Sequence, residues 1–195
     1  MAGRGPMILV GGGARSGKSG FASRYALHLG PRRTYLATGE PLDAEMAERI
    51  TRHRRDRAQD FSTVEEPLGL AAALDGLPRD EVVLVDCLTL WLSNLLGQAL
   101  GDEEILSRLA TVLSVAALRT GPTLFVTNEV GLGLVPESPL GRRFRDLAGH
   151  VHQRVAAQAD EVYLAALGMV VRLCPAPVVA FRNGEIPLSP AARSG

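Results

Sequence analysis

Gly12-Gly13-Ala14-Arg15-Ser16-Gly17-Lys18-Ser19 follows the short apolar run Met7-Ile8-Leu9-Val10 and matches the pattern G-x-x-x-x-G-K-S. That pattern describes a phosphate-cradling loop between a strand and a helix. Its glycines let backbone N–H groups converge on phosphate oxygens. A helix beginning near Lys18 adds the positive end of its dipole. In this reading Lys18 reaches the β- and γ-phosphates of a nucleotide, and the Ser19 hydroxyl holds Mg²⁺. Phe21, Tyr25 and Leu29, four residues apart, give the helix an apolar stripe. The spacing excludes the dinucleotide fingerprint G-x-G-x-x-G, because Ser16 stands where its third glycine belongs. Lys18 is also the only lysine in the chain; arginine supplies every other fixed positive side chain.

The rest of the composition fits a single enzyme-sized domain. At 195 residues, 46% of them hydrophobic, the chain can bury a core, and global disorder is excluded. A formal net charge of zero supplies no global field for nucleic acid or an anionic membrane. Cys87 and Cys174 are too few and too far apart to suggest a zinc site or a disulfide framework. No apolar run approaches 18 residues and no charged segment leads into one, so the expected setting is the cytoplasm.

Strands and helices alternate along the chain. Thr34–Thr38 reads as a strand, stopped by Gly39 and Pro41, and Asp43 starts a helix to about Arg57. Ser62–Glu65 is a short strand and Leu68–Leu74 a helical turn or two. Glu81–Asp86 is the strongest strand, and its unbroken apolar character suits a parallel strand covered on both faces. Leu88–Leu100 and Glu103–Leu118 are helical, Thr123–Thr127 a strand, and Asn128–Pro139 a loop rich in Gly and Pro beside the site. A helix from Leu140 to Gln158 precedes strand-like Glu161–Leu164 and Val170–Leu173. This alternation predicts an α/β fold with a mostly parallel sheet covered by helices. We expect residues 1–174 to form the nucleotide-binding catalytic domain. Residues 175–195, with four prolines, are expected as a tail against the surface or a neighbouring subunit.

Several residues are candidates for chemistry. Asp86 ends its strand at the carboxyl edge, where open α/β sheets place ligands and where a carboxylate holds Mg²⁺ directly or through water. Met46, Ile50, His53 and Arg57 share one helical face, and Arg49, Arg52, Arg54 and Arg55 surround the histidine. Two readings of that helix stand on spacing alone. One is a solvated charge run with an interfacial histidine. The other is a phosphate-handling element whose arginines hold His53 neutral and nucleophilic. Thr127-Asn128-Glu129 can orient substrate or water, with Glu129 a candidate base or metal-shell group. Glu65 and Glu66 are candidates for hydrogen bonds to a base or ribose. Arg142, Arg143 and Arg145 open a helix where the dipole does not favour them; a phosphate or carboxylate partner and a surface ion-pair network explain them equally. His150 and His152 are two apart and do not face together on a helix, so neither is expected to bind metal.

These blocks, in this order, resemble the bifunctional adenosylcobinamide kinase/adenosylcobinamide-phosphate guanylyltransferase family of cobalamin biosynthesis. The matching blocks are the loop at Gly12–Ser19, Tyr35-Leu36-Ala37-Thr38, Arg49-Ile50 with His53-Arg54, and Val85-Asp86-Cys87-Leu88-Thr89-Leu90-Trp91-Leu92 with Asn94. Thr127-Asn128-Glu129-Val130-Gly131 and Phe144-Arg145-Asp146 continue the match, which spans about residues 7 to 173. The resemblance implies a RecA-like P-loop domain, ATP and GTP as substrates, Mg²⁺ on Ser19 and Asp86, and a homotrimer with sites near subunit boundaries. It implies phosphorylation of adenosylcobinamide, then GMP transfer from GTP onto adenosylcobinamide phosphate through a guanylylated histidine. The family's histidine falls on His53. Arg52 beside it cannot attack, since a guanidinium stays protonated. Two departures stand out: His152-Gln153 where the family tends to have Asn-Gln, and a longer tail beyond Pro175.

The rival enzyme reading is a single-activity P-loop kinase of a small metabolite, distinguished by the absence of protein-bound GMP. A nucleotide-gated binding protein is disfavoured because the chain lacks an N-K-x-D guanine-reading motif. A DNA-acting RecA-like ATPase is disfavoured by short length and zero net charge.

Overall fold

The computed structural model describes residues 3–40, 59–182 and 185. Eight strands form one sheet: β1 (Met7–Gly12), β2 (Arg33–Ala37), β3 (Ser62–Glu65), β4 (Val82–Asp86), β5 (Thr123–Asn128), β6 (Glu161–Ala166), β7 (Met169–Cys174) and β8 (Val179–Arg182). Their spatial order is β3-β2-β4-β5-β1-β6-β7-β8. The first six strands in that order pair in parallel, and β7 and β8 add an antiparallel edge. The helices are α1 (Lys18–Leu29), α2 (Leu70–Asp75), α3 (Leu88–Gly97), α4 (Asp102–Ala117) and α5 (Pro139–Ala156).

Alternation along each strand splits the interior into two cores. Met7 and Leu9 of β1, Val83 and Val85 of β4 and Phe125 of β5 point to one face, where Trp91, Ile105, Leu109, Leu147 and Val151 cover them. Ile8, Val10, Leu84, Leu124 and Val126 point to the other, against Phe21, Ala22 and Tyr25 of α1. Strands buried on both faces explain why β4 and β5 read as unbroken apolar runs.

The observed elements lie within a few residues of the expected ones, with one addition. Val179–Arg182, expected as part of the tail after residue 174, pairs with β7 as the eighth strand. Residues 183–184 and 186–195 of that tail and the expected helix carrying His53 lie outside the described residues. Residues 3–6, ahead of β1, are tied down. Arg4 grips Asp160 through two hydrogen bonds of 2.9 and 2.7 Å, and the Asp160 carboxylate also takes the Met7 N–H at 2.7 Å.

Candidate active site

Because β1 to β6 run parallel, their carboxyl ends share one edge, and the loop leaving β1 opens there. Gly12 lies between two neighbours, opposite Asn128 of β5 and Ala165 of β6. A Cβ at Gly12 would meet the Ala165 carbonyl oxygen at 2.5 Å and Ser16 Oγ at 2.6 Å, so the chain can turn into the loop here only without a side chain. Gly17, which precedes the first turn of α1, has φ 90°, a conformation that favours glycine. Arg15 holds φ 56° between them.

The loop is built to receive an anion. The first turn of α1 has no side-chain cap and no acidic residue, so its leading N–H groups are left to a ligand. Ser16 Oγ is buried without a hydrogen-bond partner. Lys18 is 8% exposed, and its ammonium donates to the Gly13 carbonyl at 3.2 Å, curled back over the loop it serves. An almost buried ammonium among backbone groups gains most when phosphate oxygens replace that carbonyl.

Asp86 ends β4, two strands from β1, or about 10 Å in inter-strand spacings. The Tyr35 hydroxyl donates to its carboxylate. The next residue is fixed from both sides. The fully buried Thr38 hydroxyl accepts the Cys87 N–H at 2.8 Å and donates to the Cys87 carbonyl at 2.7 Å, and Thr38 N–H donates to the Asp86 carbonyl at 3.2 Å. Asn94 of α3 donates to the Thr38 carbonyl at 2.7 Å and to the Pro67 carbonyl at 3.1 Å. Burial raises the Cys87 thiol pKa, the Asp86 charge adds to the rise, and Lys18 opposes it. The thiol is thus a neutral packing group, and Lys18 lies near enough to the Asp86–Cys87 corner to be felt there. No local spacing signals the Thr38 clasp, whose partners are 49 residues away.

Thr127, Asn128 and Glu129 lie at the same edge beside β1. Glu129 N–H donates to the Gly12 carbonyl at 3.0 Å, and Asn128 N–H to Thr89 Oγ1 at 3.1 Å. His152 of α5 meets the Thr127 hydroxyl through Nε2 at 2.7 Å and the Glu129 carboxylate through Nδ1 at 3.5 Å. Burial lowers the imidazole pKa, and Glu129 partly offsets that. This pairing was invisible in the spacing of residues 127, 129 and 152.

Glu65 and Glu66 stand at the far end of the edge. Four inter-strand spacings, about 19 Å, separate β3 from β1, beyond the phosphates but within the span of a nucleotide or a large acceptor. Glu66 Oε1 accepts the Leu68 and Gly69 N–H groups at 2.9 and 2.7 Å and so organises the start of α2. Arg142 and Arg143 resolve toward local structure: Arg143 bonds Asp102 and the Leu100 carbonyl, both at 2.7 Å, and Arg142 bonds the Pro136 and Glu137 carbonyls. Among the described residues no three His, Cys, Asp or Glu side chains gather as a metal cluster. Mg²⁺ does not need one, since it keeps waters and phosphate oxygens as ligands beside one or two protein groups.

Comparison with known structures places this architecture among RecA-like folds. The RadB recombinase superposes with a TM-score of 0.53 at 16% identity, over 92% of this chain and 88% of that one. A KaiC-like protein of Pyrococcus horikoshii OT3 gives 0.50 at 13% identity, over 92% and 79%. Sequence relatives are much nearer. The bifunctional adenosylcobalamin biosynthesis protein CobP of Pseudomonas aeruginosa is 42% identical over 175 residues, covering 87% of this chain and 98% of the relative. The proteins of the same description named CobU are 39% identical in Escherichia coli K12 and 40% in Salmonella typhimurium, each over 86% of this chain and 99% of the relative. Residues 8–173 match the family described as cobinamide kinase / cobinamide phosphate guanyltransferase. With that span, and with the phosphate loop, Asp86 and the Thr38 clasp all within it, the chain belongs to this bifunctional family of cobalamin biosynthesis.

Proposed function

We propose that the Gly12–Ser19 loop serves both reactions of the family, phosphorylating adenosylcobinamide and then transferring GMP from GTP to its phosphate to give adenosylcobinamide-GDP. The observation that carries this reading is a glycine-bounded loop with a nearly buried Lys18, facing Asp86 along one sheet edge. The loop amides and Lys18 hold the triphosphate, whether ATP or GTP. Ser19 and Asp86 would hold Mg²⁺, which supplies neutralising charge at the phosphate oxygens when bound. Tyr35 orients the Asp86 carboxylate by donating to it. Glu65 and Glu66, about 19 Å along the edge, fit the base or ribose end of the nucleotide.

In the kinase step the substrate hydroxyl attacks the γ-phosphorus, the bond to the bridging oxygen breaks, and the nucleoside diphosphate leaves. No protein nucleophile is needed. In the second step a ring nitrogen of His53 attacks the α-phosphorus of GTP and pyrophosphate leaves with the bonding pair. The cobinamide phosphate then attacks the same phosphorus, and the N–P bond returns its electrons to the imidazole. His53 lies outside the described residues, and its role rests on family membership and on its place among Arg49, Arg52, Arg54 and Arg55. A homotrimer in the cytoplasm is part of the proposal. Exposed Leu132, Leu134 and Val135 beside the site support a subunit contact there. Sedimentation of the purified chain tests it, and a monomer at all concentrations would remove it.

The experiment is to supply adenosylcobinamide, ATP and GTP and to follow products by mass spectrometry. We expect adenosylcobinamide phosphate, then adenosylcobinamide-GDP. His53→Asn should retain phosphorylation and lose GDP-product formation. Phosphate product alone from the unmodified protein would favour the single-activity kinase.

A further inference from the structure

A kinase step leaves a proton to be accepted from the attacking hydroxyl, and the carboxylates at the sheet edge are not equivalent for that task. Asp86 is engaged by Tyr35 in the role given above. Glu65 and Glu66 are four strands from β1. Glu129 directly follows β5, the strand next to β1, and is joined to the loop's root, its N–H on the Gly12 carbonyl at 3.0 Å. Its carboxylate is held at both oxygens. Oε1 takes the Gly131 N–H at 2.6 Å, and Oε2 faces His152 Nδ1 at 3.5 Å.

The histidine's own bonding fixes its tautomer. A carboxylate only accepts, so the proton belongs on Nδ1, which leaves Nε2 to accept from the Thr127 hydroxyl at 2.7 Å. Thr127 is buried in β5, and Val151 next to His152 is in the core under α5. The imidazole is thus a rigid strut from the sheet to a carboxylate that is itself 30% exposed toward the site edge. Ring and carboxylate are slightly long for a direct hydrogen bond, as catalytic pairs often are before substrate arrives.

We propose that His152 is a positioning residue for phosphorylation, holding Glu129 where it accepts the proton of the substrate hydroxyl as the O–P bond forms and the nucleoside diphosphate departs. Guanylyl transfer onto a phosphate oxygen releases no such proton, so the strut acts on one half-reaction only. This rests on the kinase assignment above, and phosphorylation by the unmodified protein checks that assignment separately. Without it the kinase reading fails and the proposal with it.

The test is a double-mutant cycle with each half-reaction assayed alone, using adenosylcobinamide with ATP, or chemically supplied adenosylcobinamide phosphate with GTP. Glu129→Gln should lower kcat for phosphorylation by about 100-fold or more, as loss of a general base does. His152→Ala should lower it by about 10-fold, with KM for ATP unchanged. It should have no further effect when added to Glu129→Gln, because its influence passes through that carboxylate. GMP transfer should change by less than about threefold in all three variants. His152→Gln keeps a donor and an acceptor at similar reach, should restore phosphorylation to within about threefold of the unmodified rate, and serves if the alanine variant does not fold. Equal loss in both half-reactions, additive losses in the double variant, or full phosphorylation by Glu129→Gln would each overturn the proposal.

Discussion

Replacing Thr38 by valine removes one hydroxyl from the centre of the site and changes almost nothing in shape. The hydroxyl is fully buried and makes two hydrogen bonds with the Cys87 backbone, at 2.8 and 2.7 Å. In Thr38→Val the Cys87 N–H is left buried without an acceptor, at a cost of about 1–3 kcal/mol, and its carbonyl loses a donor at about 1 kcal/mol. The sum, about 3 kcal/mol, corresponds to a fall in melting temperature of about 6–12 °C for a chain of this size. Thr38→Ser keeps both hydrogen bonds and loses one methyl group, about 1 kcal/mol. Urea or thermal unfolding by circular dichroism resolves that gap. The same clasp sets the residue after Asp86, so the melting-temperature gain from saturating Mg-nucleotide should shrink in the valine variant and not in the serine variant. A valine variant as stable as the serine variant would refute the argument, because the two hydrogen bonds should outweigh the methyl group that serine lacks by about 2 kcal/mol.

Gly12→Ala should lose about 1–3 kcal/mol and at least tenfold in nucleotide affinity, since its Cβ meets the Ala165 backbone at 2.5 Å, whereas Gly13→Ala, with nothing within 4 Å, should melt as the unmodified chain does. Equal losses at both positions in melting and calorimetric titration would contradict this. Arg119, 2% exposed, donates to the carbonyls of Leu74, Pro78 and Glu81 ahead of β5, at the edge away from the site. Arg119→Met should therefore destabilise by at least about 3 kcal/mol while kcat at a permissive temperature stays within twofold; a large kcat effect in folded protein would oppose that division. His152 has a folded pKa below the ordinary 6.5, burial being the cause and Glu129 the opposing charge. The unfolded chain then takes up a proton that the folded chain refuses, so unfolding free energy should be flat above about pH 6.5 and decline on acidification from there to the lowered value. His152→Gln should remove that component of the decline, and identical pH profiles for the two proteins would contradict it.

Local chemistry was legible in the sequence. A run of Gly12, Gly17, Lys18 and Ser19 after four apolar residues leaves one conformational solution, and β1, the loop and α1 follow it. Asp86 could be placed because a doubly covered parallel strand must end in its first polar residue at the sheet edge. What was missed is long-range. Thr38 is an ordinary strand terminus until β4 is brought beside β2, and only then does its hydroxyl face Cys87. His152 and Glu129 are 23 residues apart, and no helical or strand period connects them. Arg143 was ambiguous because its partner Asp102 opens a different helix. Strand β8 went unseen because prolines at 175 and 177 read as tail, although Pro is tolerated just ahead of an edge strand.

In the proposed mechanism one phosphate loop supports both a phosphoryl transfer and a covalent guanylyl transfer through His53. Intact-protein mass spectrometry after brief incubation with Mg²⁺ and GTP, followed by peptide mapping at neutral pH, tests it most directly. The expected result is one GMP per chain, acid-labile, on the peptide containing His53, and none in His53→Asn or in protein given a GTP analogue that cannot release pyrophosphate. GMP on any other residue, or turnover to adenosylcobinamide-GDP with no labelled protein at any time point, would contradict it.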